Sequence, residues 1–473
     1  MITENEREKL AMISGEEARE NVSELIIPID RTAGSEAEHE GARKVKGKLE
    51  TYVDSCELEG VPVTVYTKTE GRLEVVFPVQ VSIPCAATRL AGSGSGTVTL
   101  LDAGHGRAAD YNNLGSDINS AAVLATCKSP TASISERASM CLEARNHKAS
   151  CLLYNTPEKD DNVVSAHVSN INFPALSISN RAAADLRSLL AEHGEVKINF
   201  ESNLESADST TYNVVGNIVG SKYPNEVIYI TAHHDSWFYG ANDNMSSVAC
   251  LLETAKIFNK YRPRRTIRFV IFGSEESGGK AEESAQFGEC GSAGYCKAHY
   301  EALTGQLDEI PICIINGEFM GYSQLMDAMC SPELIPGARE VASDLGEYAR
   351  AVEPTPYWYL SDQVQFHLRG VSSIMFWMTP DLGTGRRSPF FAFYHSDGDN
   401  MDMIKAKALK KNAELMALMA MRFDSVDFPY SLETLRDAAV RGTGCLMNSD
   451  RIRQVYDEKV KQCLEEESRE EKL

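Results

Sequence analysis

Residues 226–247 read Glu-Val-Ile-Tyr-Ile-Thr-Ala-His-His-Asp-Ser-Trp-Phe-Tyr-Gly-Ala-Asn-Asp-Asn-Met-Ser-Ser, and they set imidazoles and carboxylates one short loop apart. His233 follows the apolar, β-branched run Val227–Ala232, the pattern of a buried strand. Asp243 precedes Met245, Val248, Leu252 and Ala255, which recur at helical spacing. A carboxylate just ahead of a helix meets unpaired N–H groups and the positive end of the dipole, so it is favoured as an anion. Ligands delivered to the carboxyl ends of strands are common parts of sites in α/β proteins.

Donors of the same kinds close two further strands and the loop beyond a third. Arg264–Phe272 ends in Gly273-Ser274-Glu275-Glu276, and Ile310–Ile315 ends in Asn316-Gly317-Glu318. Val371–Trp377 is followed by a loop carrying Tyr394-His395-Ser396-Asp397. His233, Asp243, Glu276, Glu318 and His395 are together a nitrogen and oxygen donor set suited to zinc, with manganese or cobalt as substitutes. One catalytic metal needs three protein ligands and an open position. Five donors suit two metals if one carboxylate bridges them, and Asp243, short and fixed at a helix start, is the natural bridge. Two divalent ions among three carboxylates favour loss of a proton from water near neutral pH.

If the backbone after Phe272 is extended, Glu275 faces away from Glu276 and stands beside the metals as a general base. Asp235, two residues past His233, lies on the same side and can accept the other ring N–H, fixing the tautomer. Each pair is weak alone, because a Glu-Glu is usually surface charge and a His-x-Asp usually carries no chemistry. Their joint recurrence at strand ends is what points to a site. His234, His367, His105, His147 and His167 lack that company and are read as structural.

The elements that must position these groups follow from the rest of the chain. At 473 residues more than one domain is expected. The net charge of -21 argues against nucleic acid and against anionic membrane surfaces, and no apolar run reaches the length of a membrane span. The N-terminus has no basic, apolar secretory pattern, and the twelve cysteines form no C-x-x-C pair, so reduced thiols in a cytoplasmic protein are expected. Residues 1–58 look helical, with Ser14 and Ser35 as helix caps. Residues 59–205 carry short β-rich runs, a helix over 134–148 and the stretch Gly92-Ser93-Gly94-Ser95-Gly96, which reads as a hairpin turn. Residues 206–430 alternate strands with helices at 245–259, 292–302, 331–350 and 402–422, and 431–473 is a helical extension with a charged tail. The expected fold is α/β: a mixed, mostly parallel sheet with helices on both faces, interrupted by a β-rich insert.

The motifs Ala232-His233-His234-Asp235-Ser236, Gly240-Ala241-Asn242-Asp243-Asn244, Gly273-Ser274-Glu275-Glu276 and Tyr394-His395-Ser396 resemble those of the di-zinc aminopeptidases, metallopeptidase family twenty-eight. Arg31-Thr32-Ala33-Gly34-Ser35-Glu36 is similar to an N-terminal segment of that family, and the insert resembles its protease-associated domain. The resemblance implies His233 and Glu318 on one zinc, Glu276 and His395 on the other, and Asp243 between them. It further implies Glu275 as base, Asp235 behind His233, and Tyr394 polarising the scissile carbonyl.

Three departures leave substrate choice open. Glu318 stands where these aminopeptidases usually have Asp, an acidic loop Lys280–Cys290 separates Gly278-Gly279 from Gly291-Ser292, and Gln363 stands where His is frequent. The expectation is a zinc-dependent exopeptidase, an aminopeptidase acting on peptides; the residues leave the oligomeric state open, with a homodimer among the alternatives. Arg386 and Arg387 motivate a rival, a carboxypeptidase or dipeptidase for acidic peptides. A non-catalytic scaffold like the family's receptor relatives is the other rival.

Overall fold

The computed structural model describes residues 1–425 apart from 90, 129–133, 158–161, 164–170, 280–288, 304–308, 347–348, 353–360, 368 and 379–387. Arg386, Arg387, His167, most of the acidic loop and the extension 431–473 lie outside the described residues.

Eight of the sheet's strands among the described residues build the part that carries the site: β1 Ser55–Phe77, β2 Lys197–Ile218, β3 Tyr223–His233, β4 Arg265–Phe272, β5 Ile310–Gly317, β6 Met326–Cys330, β7 Ala349–Val352 and β8 Ser372–Met378. Their order is β7-β6-β8-β5-β3-β4-β2, with β1 along the far edge of β2. β8, β5, β3 and β4 run parallel, so their carboxyl ends share one edge. These four strands are almost wholly buried, β3 from Val227 on, which explains why they read as continuous apolar runs rather than alternating ones.

One face is covered by helices Gly15–Leu25, Ser246–Lys260 and Ala406–Ser425, which share the largest apolar core with the sheet. The other carries Cys290–Ala298, Tyr300–Leu303 and Gln363–His367, whose Tyr295, Leu303 and Phe366 share a core with Val227, Tyr229, Val270 and Ile314 of the strands. Ser14 and Ser35 cap their helices as expected, through Glu17 and Glu38 backbone N–H groups. The N–H of Ser14 donates to Glu253 of a neighbouring helix, 2.8 Å away.

β1 and β2 form a long antiparallel ribbon that continues past residues 59 and 205, with a register shift between Tyr66 and Lys68 opposite Ser206 and Glu205. At its far end Gly94–Asp102 joins β2 and opens a second set of strands, Ala122–Thr126, Cys151–Asn155, Ala175–Ile178 and Cys85–Ala87. Helix Ile134–Asn146 lies beside one apolar core of this unit and Asn180–His193 beside the other. Gly94–Asp102, Ala122–Thr126, Cys151–Asn155 and Ala175–Ile178 are parallel and Cys85–Ala87 is antiparallel, so the inserted unit is a small α/β layer of its own.

Two sequence expectations are corrected here. Gly94–Gly96 is no hairpin turn but strand paired with Phe200–Ser202. Glycine is needed at Gly92 and Gly94 because a Cβ would meet Phe173 N and Pro174 Cγ, each at 2.6 Å. The helix expected over 331–350 stops at Leu345, and Ala349–Val352 turns back as β7 beside β6. No helix among the described residues is long and apolar enough to cross a membrane, and no disulfide forms among them.

Candidate metal centre

The five predicted donors gather at the shared carboxyl edge of the parallel strands. His233 closes β3, and its Nε2 lies 3.3 Å from Asp243 Oδ1, 3.5 Å from Glu318 Oε2 and 3.9 Å from Glu275 Oε2. His395 Nε2 lies 3.4 Å from the other Asp243 oxygen and 3.0 Å from Glu276 Oε2. Asp243 thus presents one oxygen to each imidazole. All five side chains are buried or nearly so.

Asp235 does more than the sequence suggested. Its Oδ1 is 3.3 Å from His233 Nδ1, and its two oxygens accept the backbone N–H groups of Glu275 and Glu276, both at 3.0 Å. This corrects the reason given for Glu275. β4 ends at Phe272 and Ser274 takes φ +65°, so strand alternation does not separate the two glutamates. Both instead reach the cluster from a bend pinned by one carboxylate, and Glu275 joins His233 and Glu318 in one donor group.

Asp243 is likewise held differently than expected. The α-helix begins at Ser246, and Asp243 sits before it in non-helical backbone. Asp399 supplies the restraint, accepting the N–H groups of Asn242 at 2.8 Å and Asp243 at 3.0 Å. Asn244 spans to the Gly317 carbonyl at 2.9 Å, and Asn242 Oδ1 accepts the Gly321 N–H at 2.8 Å. Glu318 accommodates its extra methylene by giving Oε1 to Ser361 Oγ at 2.6 Å and Asn316 Nδ2 at 3.0 Å. Gln363 is buried and accepts from the same Asn316, at 3.2 Å. Trp237 Nε1 donates to Glu276 Oε2 at 2.8 Å, and Tyr394 stacks on His395 with ring centroids 3.6 Å apart.

Asp399, Asn242, Asn244, Asn316, Ser361 and Trp237 escaped the sequence reading. Asp399 lies four residues past His395 and Trp237 four past His233, so proximity to a donor was the available signal. His234 and His367 are structural, as expected: burial pushes each pKa down to about 4. His234 Nε2 meets the Tyr212 carbonyl at 2.8 Å. The Arg31–Glu36 segment closes the floor, with the buried Arg31 Nε donating to the His234 carbonyl at 3.0 Å and Nη1 to that of Tyr239 at 2.8 Å.

The electrostatics fit a cation. Burial, reinforced by neighbouring carboxylates, pushes Glu275 and Glu276 well above the usual glutamate range. Burial alone would discourage the His233 imidazolium, yet Glu275, Glu318, Asp235 and Asp243 hold its pKa well above the ordinary value. Asp243 Oδ2 and Glu276 Oε1 are buried with no hydrogen-bond partner among the described residues. Crowded carboxylates with orphaned oxygens beside two imidazoles are relieved by divalent ions, and the donor set suits zinc.

Residues 213–420 match the model of peptidase family M28. Human carboxypeptidase Q is 27% identical over 252 residues, 50% of this chain and 47% of that protein. Mouse aminopeptidase NAALADL1 is 27% identical over 243 residues, 50% of this chain and 30% of that protein. The chain thus spans less than half the length of these relatives. The solved peptidase M28 precursor of Shewanella amazonensis superposes with a TM-score of 0.71 at 20% identity, covering 90% of this chain and 98% of its own. A zinc aminopeptidase of Bacillus subtilis gives 0.68 at 19% identity, covering 89% and 98%. At that identity the likeness is one of fold, and it extends over the inserted unit.

Proposed function

We propose that this chain is a zinc-dependent exopeptidase, an aminopeptidase whose centre takes two zinc ions, with manganese or cobalt as substitutes. Asp243 carries the reading: its two oxygens lie 3.3 Å and 3.4 Å from two different imidazoles, so one carboxylate serves two donor sets. His233 and Glu318 would hold one ion, Glu276 and His395 the other, and Asp243 would bridge. Bound there, two divalent ions supply Lewis acidity to a scissile carbonyl and acidify water.

The chain's own groups do the rest. Glu275 takes the proton of the attacking water and returns it to the leaving amine; its carboxylate stands in the donor cluster, 3.9 Å from His233 Nε2. Asp235 fixes the bend that aims Glu275 and holds His233 in one tautomer. Tyr394 donates its hydroxyl to the carbonyl oxygen as negative charge develops. The inserted unit is, on this reading, a protease-associated domain.

Charge favours the amino-terminal direction. Asp362 is a further buried acid interacting with Glu318 and Asp235, and Glu289 stands beyond it. Burial and these neighbours push Asp362 up to about 8 and Glu289 well above the glutamate range. A substrate ammonium would offset this excess of acids, whereas a substrate carboxylate would add to it. The carboxypeptidase alternative draws on the name of carboxypeptidase Q and on Arg386 and Arg387.

Aminoacyl substrates with free and acetylated N-termini test the proposal on wild type and Glu275→Gln. The variant is expected to keep its metal while turnover falls about 1,000-fold, and the acetylated substrate is expected to resist cleavage. Near-normal turnover by Glu275→Gln would refute the base assignment. Rapid cleavage of the blocked substrate would refute the aminopeptidase.

A further inference from the structure

Among the described residues, two contacts of the inserted unit lead toward the Glu276 and His395 half of the centre. The first is Arg89, which follows the strand Cys85–Ala87 of that unit. Its buried guanidinium lies over the Trp237 ring, 4.5 Å from the centroid, and Nη2 donates to Asp30 Oδ2 at 2.6 Å. Asp30 in turn accepts the Phe238 N–H at 2.5 Å, next to Trp237. Trp237 is therefore gripped at its ring and at the adjacent backbone. Its indole N–H is the group that holds Glu276 Oε2, and its ring lies 6.0 Å from that of His395.

The second contact is Asn162. Its Nδ2 meets the Ala392 carbonyl at 3.5 Å, three residues before His395. It also packs on Gly398, where a Cβ would meet Asn162 Oδ1 at 3.0 Å. Glu318, by contrast, is braced by Asn316 and Ser361 of the main unit.

We propose that Arg89 is a positioning residue for one half of the metal centre: through Trp237 it sets Glu276 and His395, so that docking of the inserted unit governs the affinity of one metal ion and not of the other. The inference rests on the two-metal reading above. An arginine suits the task because its flat guanidinium covers an indole while its N–H groups reach a carboxylate. Lysine keeps the charge but not the flat contact. Partners that orient a ligand typically set affinity by 10- to 100-fold.

The test is zinc titration against a competing chelator dye, with elemental analysis, on the full chain and its Arg89→Met, Arg89→Lys and Trp237→Phe variants. Trp237→Phe keeps an aromatic ring and deletes the N–H that reaches Glu276, so it probes the same link if Arg89→Met does not fold. Wild type is expected to bind two zinc ions. Arg89→Met and Trp237→Phe should weaken one of them about 10-fold and leave the other unchanged, with Arg89→Lys between wild type and Arg89→Met. Equal weakening of both ions, or no weakening of either, would overturn the inference while leaving two-metal binding intact. A wild type that binds no zinc would overturn the two-metal reading and the inference with it.

Discussion

The two halves of the centre are held by different kinds of structure. His233 and Glu318 stand at or just past the ends of the adjacent parallel strands β3 and β5, whose register pairs Asn316 with Thr231. Their support is sheet-borne as well: Thr231 Oγ1 donates to Asn316 Oδ1 at 2.7 Å, and Asn316 reaches Glu318. Glu276 and His395 stand on loops, near or at left-handed backbone, with φ +65° at Ser274 and +57° at His395. Their support comes from another loop and from the inserted unit. Sheet geometry is complete once the ladder forms, whereas loop geometry depends on side chains docking across the chain. The sheet half should therefore be the stiffer, and the loop half the one that opens first.

Asp235 is where the halves meet, so its replacement offers the largest effect. It faces His233 on the sheet half and pins both Glu275 and Glu276 on the bend. Asp235→Asn presents an N–H₂ to one backbone N–H and loses the charge behind the imidazole. We expect kcat/KM to fall about 100-fold, the upper end for a residue that orients a ligand, with both metals weakened in a zinc titration. Weakening of one metal alone would show that the halves do not share this carboxylate.

The same contrast explains what the sequence disclosed. Strand ends are legible because buried parallel strands are short apolar runs, and a polar residue closing such a run must lie at the sheet edge; His233 and Glu318 were found that way. Glu276 was found in the same way, closing the run Arg264–Phe272, and His395 on the loop beyond a further strand, but the reason offered for Glu275 failed because the chain bends immediately after β4. The supporting residues were invisible for a different reason. Asp399 meets Asp243 across 156 positions, and Trp237 meets Glu276 across 39, with no local pattern to announce either. Gly92 and Gly94 were misread because close approach of Phe173 and Pro174 asks for glycine just as a turn does.

Acid probes the sheet half next. His367 closes the helix Gln363–His367, which carries Gln363 against Asn316. Burial lowers its pKa from 6.5 to about 4. The folded protein keeps this imidazole neutral while the unfolded chain takes up a proton below pH 6.5. Its contribution is therefore complete above pH 6.5 and is lost as pH falls from 6.5 toward 4, on the order of 3 kcal/mol in all. Unfolding free energies at pH 7 and pH 4.5 should show that loss in wild type and a smaller one in His367→Gln. An unchanged slope would mean that this helix does not brace the sheet half through a neutral histidine.

The smallest effect isolates one half. Ser361 Oγ donates to Glu318 Oε1 at 2.6 Å and accepts from Asn316 Nδ2 at 2.9 Å, and neither bond reaches Glu276 or His395. Ser361→Ala removes a hydrogen bond to a buried carboxylate and leaves Asn316 as the remaining brace. Glu318 gains rotational freedom, and the ion it would share with His233 should bind about 10-fold more weakly. The other ion should be untouched, and kcat/KM should fall by a similar factor. The pattern is the mirror of that expected for Arg89→Met, which makes the pair decisive. If Ser361→Ala and Arg89→Met weaken the same ion, or each weakens both, the centre is one mechanical unit and the division into a sheet half and a loop half is wrong.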